Sequence, residues 1–293
     1  MEHCAFMSGN GEIMLFGGMR TKGIVKASQK DKPLLTVVTV VYNGEGTLEE
    51  TILSVINQTY TNIEYIIVDG ASSDRTLDII RKHEDRIDYW MSEPDKNVFD
   101  AMNKGIKLTT GSFIGFLNAG DFYENNSCDI IKNVILQNPD VDVIYGNTNL
   151  VINIWNKVHF YTIYPSSVID DKILSDARFC HQSAFERKTN FDKLGYFENV
   201  KFTGDWLHYI LLFNNDAKFL YVNKTISNYL DGGISSTVDG FKESIIYRKK
   251  MGVLKKTDYF RLWWLYMKNN FLYRKIAYPF RWYIKLSFEM RKK

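Results

Sequence analysis

LLTVVTVVYN, residues 34–43, is an almost unbroken apolar and β-branched run between Pro33 and Gly44. A strand with one wet face alternates apolar and polar residues, and this one does not, so it reads as a strand buried on both faces. Burial on both faces needs helices above and below, and the next segment supplies one. TLEETILSVINQ (47–58) sets Leu48, Ile52, Val55 and Ile56 at helical spacing, with Thr47 as an N-cap and Glu50 three residues on. The alternation continues through strand NIEYIIVDG (62–70), helix SSDRTLDIIRKH (72–83), strand RIDYWMSE (86–93), helix VFDAMNKGIKL (98–108) and strand SFIGFLNAG (112–120). Helix DIIKNVILQ (129–137) and strand VDVIYGN (141–147) follow. The expectation is an α/β fold: a mostly parallel central sheet flanked by helices, with right-handed crossovers.

After Asn147 the pattern weakens into β-rich, aromatic sequence (149–165), then a loop-rich stretch holding FCHQSAF (179–185). Helical spacing returns in GDWLHYILLF (204–213), and KFLYVN (218–223) reads as a late strand. Residues 1–32, rich in Gly, Lys and Ser, read as an irregular lead. The domains expected are therefore that lead, a main domain over 33–240, and an extension over 241–293. At 293 residues and 45% apolar, the chain has ample material for a core.

In an open parallel sheet, ligands gather beyond the carboxyl ends of the strands. Those ends carry Tyr42-Asn43, Asp69-Gly70, Glu93-Pro94-Asp95 and Asn118-Ala119-Gly120-Asp121. Acids converging on one edge suit a hard divalent cation and sugar hydroxyls. The plainer reading, that Asp and Asn simply favour turns, applies better to each alone than to the group.

TVVYNGEGTLEETILSVINQTYTNIEYIIVDGASSDRTLDII and SEPDKNVFDAMNKGIKLTTGSFIGFLNAGD resemble the family 2 glycosyltransferases, inverting enzymes of the GT-A nucleotide-diphospho-sugar transferase fold, above all bacterial members that build surface polysaccharides. The likeness is dense from Leu34 to about Tyr145 and looser from Cys180 to Tyr229. It implies donor-nucleotide contacts at Tyr42, Asn43, Asp69 and Asp95. FLNAGD stands where the family has an acidic metal-binding motif, with Asn118 in the first acidic place, Gly120 in the third and Asp121 in the last. That departure leaves Asp121, helped by Asn118, to hold Mg²⁺ or Mn²⁺ together with diphosphate oxygens. The GDW at 204–206 falls where the family keeps its catalytic base, which implies Asp205 in that role, against the plain alternative of a first-turn acid on a helix. His181 lies in the acceptor-side segment as an acceptor or diphosphate contact, or as an ordinary structural histidine. Lys104 is a candidate phosphate contact, or only a helix lysine. The implied activity is transfer from a nucleotide-sugar donor to a saccharide acceptor, polyprenyl-linked in many such enzymes. The thinned motif keeps open a non-catalytic saccharide-binding or scaffold protein.

Charge is unevenly spread. From Arg248 to Lys293 there are 14 bases, 2 acids and 12 aromatics, while the rest of the chain has 23 bases to 32 acids. On a helix, Phe260, Trp263, Trp264, Met267 and Phe271 share a stripe beside Arg261, Lys268 and Lys275, and Pro279 would end or kink it. Trp and Tyr flanked by cations suit the interface of an anionic bilayer. The competing readings are packing onto the main domain and nucleic-acid binding, the latter opposed by the acidic body. No run reaches the length of a membrane span. Three scattered cysteines suggest neither disulfides nor zinc, and nothing at the amino terminus reads as a secretory signal. A cytoplasmic protein held on the inner membrane face, with no nucleic-acid partner, is expected.

Overall fold

Every side chain of the strand Leu35–Val41 is buried, and the layers around it are the reason. The computed structural model describes residues 4–7, 13–154, 157–198, 200–230, 237–255, 257–258 and 260. Two units divide the chain, Met1–Asp231 and Gly232–Lys293. The first unit runs β1 (Cys4–Met7), β2 (Ile13–Gly17), β3 (Leu35–Val41), α1 (Leu48–Ile56), β4 (Ile63–Asp69), α2 (Thr76–Lys82), β5 (Tyr89–Ser92), α3 (Val98–Leu108), β6 (Phe113–Phe116) and β7 (Phe122–Tyr123). It continues with α4 (Ser127–Gln137), β8 (Val143–Ile154), β9 (Lys157–Ile163), β10 (Ala184–Arg187), α5 (Lys188–Leu194), α6 (Gly204–Asn214) and β11 (Phe219–Leu230).

Successive side chains of a strand point to opposite faces, and β3 feeds two apolar clusters in that way. Leu35, Val37 and Val41 join Leu48, Ile52 and Val55 of α1. Val38 and Val40 join Phe99, Met102 and Ile106 of α3. Each such side chain contributes roughly 1.5–3 kcal/mol by burial, which makes the centre of the sheet a stiff platform for the loops at its end.

The strands form one sheet in the order β1-β2-β5-β4-β3-β6-β10-β8-β11-β7, with β9 paired to β8. The expected parallel sheet is found in β5-β4-β3-β6. Beyond β6 the expectation is corrected, because β10 runs antiparallel to both β6 and β8. An antiparallel strand needs no helical crossover, and β10 enters from a single 3₁₀ turn at His181–Ser183. The sheet is therefore mixed.

A second correction concerns the lead. Residues 1–32 are not irregular throughout: β1 and β2 form a hairpin, and β2 pairs antiparallel with β5, which would otherwise end the sheet. Met14, Leu15 and Phe16, the one compact apolar group of that segment, pack against the two clusters. Polar anchors hold the connection from β2 to β3. Arg20 reaches the carbonyl of Leu108 at 2.8 Å and pairs with buried Glu64, and Lys26 pairs with buried Asp88 at 2.8 Å.

The second unit holds α7 (Val238–Lys250), capped by the Thr237 hydroxyl and followed by an Arg248–Asp258 pair at 2.6 Å. The unit boundary lies at Asp231 rather than 240, since α7 runs on through the expected junction. The amphipathic tail helix and its break at Pro279 lie outside the described residues. Among the described residues no helix is long and apolar enough to cross a membrane.

Candidate functional site

The spatial order β5-β4-β3-β6 sets the four strand ends in a row: Asp95, Asp69, Tyr42-Asn43 and Asn118–Asp121. Backbone bonds tie them together, with Gly70 N donating to Val41 O at 2.9 Å, Glu93 N to Asp69 O at 3.1 Å and Ala119 N to Val40 O at 3.2 Å.

At one end of the row, Asp69 is fully buried. Its carboxylate accepts from the Ser72 hydroxyl, from Ser72 N at 3.1 Å and from Ser92 Oγ at 2.6 Å. The serines consume most of its hydrogen-bonding capacity, so it shapes the turn. Asp95 stands half-buried beside it. A β-carbon at Gly70 would lie 2.4 Å from Asp95 Oδ2 and 3.4 Å from the Tyr42 ring, so this glycine is what lets the two side chains close over the strand end. Tyr42 is 67% exposed, with its ring open to a ligand. Asn43, at φ 50°, clasps the next loop: its Oδ1 accepts from Ser73 N at 2.9 Å and its N–H donates to Ser72 Oγ at 2.7 Å. Burial pushes the Asp95 pKa up, and the charges of Asp100 and Asp69 add to this against the opposing cation of Lys104. Lys104 does not stand free for a phosphate. Its ammonium donates to Pro94 O at 2.6 Å and pairs with Glu93 at 2.9 Å, holding the turn that carries Asp95.

At the other end, Asn118–Asp121 is a tight turn closed by Asp121 N donating to Asn118 O at 3.0 Å. Gly120 has φ 100°, the left-handed value that the third position of a type II turn requires. This accounts for glycine where the family motif has an acid: a side chain there would be strained. Thr51 of α1 braces the turn, its Oγ1 accepting from Gly120 N at 2.9 Å and donating to Asp121 O at 2.8 Å. Asp121 is buried, and accepts from Gln182 Nε2 at 3.1 Å and from Leu230 N at 3.3 Å. Burial pushes its pKa up to about 6, against the Gln182 hydrogen bond and the charge of His181.

Three segments distant in sequence meet over this turn. His181 Nδ1 donates to Asp205 Oδ2 at 2.8 Å, while Asn118 Nδ2 lies 3.3 Å from His181 Nε2. Trp206 N donates to Asp205 Oδ1 at 2.8 Å, so the acid sits in the first turn of α6 as well as in the site. Burial pushes the Asp205 pKa up, but the His181 bond and charge outweigh it and hold the carboxylate below its usual range. Burial pushes His181 down, and Asp205 and Asp121 more than reverse that. The buried Oδ1 of Asn118 has no hydrogen-bond partner among the described residues.

No group of three or more His, Cys, Asp or Glu able to hold a metal is present among the described residues. The Asp121 carboxylate and the unpaired Asn118 oxygen are both hard donors. Such a set suits Mg²⁺ or Mn²⁺ when substrate phosphates and water complete the shell.

The structure thus brings Tyr42, Asn43, Asp69 and Asp95 together, and brings Asn118, Asp121, His181 and Asp205 together. It ties up Lys104. Sequence reasoning assigned no role to Gln182 or to Ser72 and Ser92. The serines were readable in principle, since Ser72 follows Asp69 by three residues; nothing local pointed to a Gln182–Asp121 bond.

Residues 36–195, more than half of the chain, match the family model described as Glycosyl transferase family 2. A Haemophilus influenzae protein named as an uncharacterized glycosyltransferase is 30% identical over 254 residues, 83% of this chain and 99% of that one. The Escherichia coli UDP-Glc:alpha-D-GlcNAc-diphosphoundecaprenol beta-1,3-glucosyltransferase WfgD is 29% identical over 147 residues, 50% of this chain and 57% of its own length. Among solved structures, the mannosyltransferase PcManGT from Pyrobaculum calidifontis, in complex with GDP-Man and Mn²⁺, superposes with a TM-score of 0.60 at 15% identity, over 80% of this chain and 68% of that one. At that identity the likeness concerns the fold.

Proposed function

Because the chain belongs to glycosyl transferase family 2 and is a glycosyltransferase with a nucleotide-sugar donor, we propose that it inverts the anomeric carbon as it passes the sugar to a lipid-linked saccharide. The observation that carries this reading is the hydrogen-bonded series Asp205–His181–Asn118 standing over the Asp121 turn.

The row from β5 to β6 spans three strand spacings, roughly 14 Å. A nucleoside diphosphate bound at this edge would set its nucleoside between the Tyr42 ring and Asp95, which meet over Gly70, and its diphosphate at Asp121. Asp121 and Asn118 would hold the divalent cation there. Bound at that place, such a cation stabilises the charge that grows on the departing diphosphate. Asp205 is ionised at neutral pH and oriented by His181 and Trp206 N, so that it takes the proton of the acceptor hydroxyl as the new C1 bond forms. His181 Nδ1–H holds Oδ2 and Trp206 N–H holds Oδ1, which leaves each oxygen a further lone pair for the acceptor hydroxyl. Gln182 and Leu230 N orient Asp121.

The acceptor class is supported by the name of WfgD. Service in bacterial polysaccharide assembly, on the inner membrane face with the basic aromatic tail against the lipid, is consistent with that acceptor.

The test is a reaction with UDP-glucose, UDP-GlcNAc and GDP-mannose against GlcNAc-diphosphoundecaprenol, with and without Mn²⁺, followed by NMR of the product. A new glycosidic bond of inverted configuration, formed only with the metal, is expected. Retained configuration, or equal rates after chelation, would sink the mechanism.

A further inference from the structure

We infer that the buried pair Glu186–His208 is a positioning device for Asp205, fixing the rotation of α6 that presents this carboxylate to His181. The inference rests on the reading of Asp205 as proton acceptor.

Two segments, residues 181–187 and α6, are joined twice. At the site the link is His181 to Asp205 at 2.8 Å. Deeper in the core, His208 Nε2 lies 2.9 Å from Glu186 Oε1 and 3.1 Å from Oε2. Asp205 and His208 are three residues apart on α6 and so share a face. His181 and Glu186 belong to one continuous stretch, the 3₁₀ turn running directly into β10. That strand cannot slide, since Glu186 is paired with Ile114 of β6 on one side and Val143 of β8 on the other. The strand is therefore the reference, and the helix is the part being held.

The grip on His208 is directional. Its ring stacks on Phe191 at 4.6 Å and 4°, and meets Phe197 at 5.1 Å and 66°. The two side chains of the pair are 1% and 3% exposed, and His208 Nδ1 has no hydrogen-bond partner among the described residues, so within them the polar capacity of the ring goes to Glu186. A buried acid–imidazole hydrogen bond adds little net stability, because desolvation offsets most of its attraction, yet it tolerates few geometries. Apolar side chains would fill the same volume and let α6 turn. Catalytic geometry does not forgive that: a misplacement of about 1 Å can cost roughly 100-fold in rate.

The test compares full-length Glu186→Gln, His208→Gln, the double variant and Asp205→Asn. Nucleotide release is followed on whichever of UDP-glucose, UDP-GlcNAc and GDP-mannose the wild type turns over fastest, with GlcNAc-diphosphoundecaprenol as acceptor. Affinity for UDP and GDP with Mn²⁺ is measured alongside by calorimetry. Each single variant is expected to lose at least about 10-fold in kcat, with donor KM and nucleotide affinity nearly unchanged, because the donor contacts lie on other segments. The double variant, whose two amides can bond to each other, recovers part of the loss. Unchanged kcat in a folded single variant overturns the inference. So does a kcat loss matched by an equal loss of nucleotide affinity, the mark of general loosening. If Glu186→Gln fails to fold, His208→Gln and the double variant carry the same comparison. Full activity in Asp205→Asn overturns instead the reading of Asp205, a result separable from the others.

Discussion

Asp69 and Asp121 both close strands of the same sheet and both are buried, but their surroundings differ. Asp69 is surrounded by donors from its own neighbourhood, two of them from Ser72. Asp121 receives one amide from Gln182 and one backbone N–H from Leu230, and its pKa is pushed up to about 6 by burial. A carboxylate that is fully satisfied builds structure, whereas one left short of donors retains capacity for a cation. The half of the site around Asp69 is thus a finished frame, and the half around Asp121 is completed by what binds.

The largest effect expected from breaking this contrast is at Asp205, on the unfinished side. Asp205→Asn should lower kcat by roughly 10²–10⁴-fold and leave calorimetric nucleotide affinity intact; a parallel loss of affinity would place Asp205 in the frame instead. Next comes Asp121→Ala, which should remove the Mn²⁺-dependent part of nucleotide binding. Asp69→Ala should instead lower the unfolding midpoint, by about 1–3 kcal/mol of stability for the stranded serine donors. Equal metal dependence in both variants would erase the distinction.

Acidity sharpens it further. Below about pH 6 Asp121 is protonated and must shed that proton to bind metal, so Mn²⁺ affinity should fall as pH drops through that value. Without metal the sign for stability is opposite. An acid whose folded pKa is raised contributes stability that is present below its unfolded value near 3.8 and is lost as pH rises toward 6, about 3 kcal/mol at most. Thermal unfolding with and without Mn²⁺ across pH 4–7 reads both trends.

Tyr42→Ala should weaken donor binding by about 1–3 kcal/mol, the worth of stacking one base, and leave kcat near its starting value. A kcat defect would move the ring to the transfer side. The smallest effect on activity is expected at Arg20→Ala, far from the chemistry. Burial pushes Glu64 up, but bonds from Thr110 and Thr36 and the charge of Arg20 hold it below the usual range. Its contribution is therefore present at neutral pH and lost as pH falls through the depressed value. Removing Arg20 should move acid unfolding to higher pH without changing turnover.

The frame was readable in the sequence because each of its parts is local. Val37 and Val38 announce a strand covered on both faces, and Tyr42, Asp69 and Asp95 stand at or just beyond the ends of runs that period and composition delimit. The other half depends on residues brought together across long separations: His181 on Asp205, Gln182 on Asp121, Leu230 N on Asp121. Family resemblance pointed to Asp205, but no spacing could say that His181 would be its partner, since β10 inserts antiparallel between strands whose sequence gives no hint of the gap. The apolar triplet at 14–16 was visible too, yet its pairing with β5 was not, because the glycines and lysines around it mask a strand that tertiary contact induces.

That hairpin protects more than it catalyses. It occupies the hydrogen-bonding row of β5, a row that in a chain shortened to begin at Pro33 would be open to any other strand, including the same row on a second molecule. Such a shortened protein would keep every residue of the candidate site and still come out of solution, so a dead preparation of it would report on aggregation rather than on chemistry.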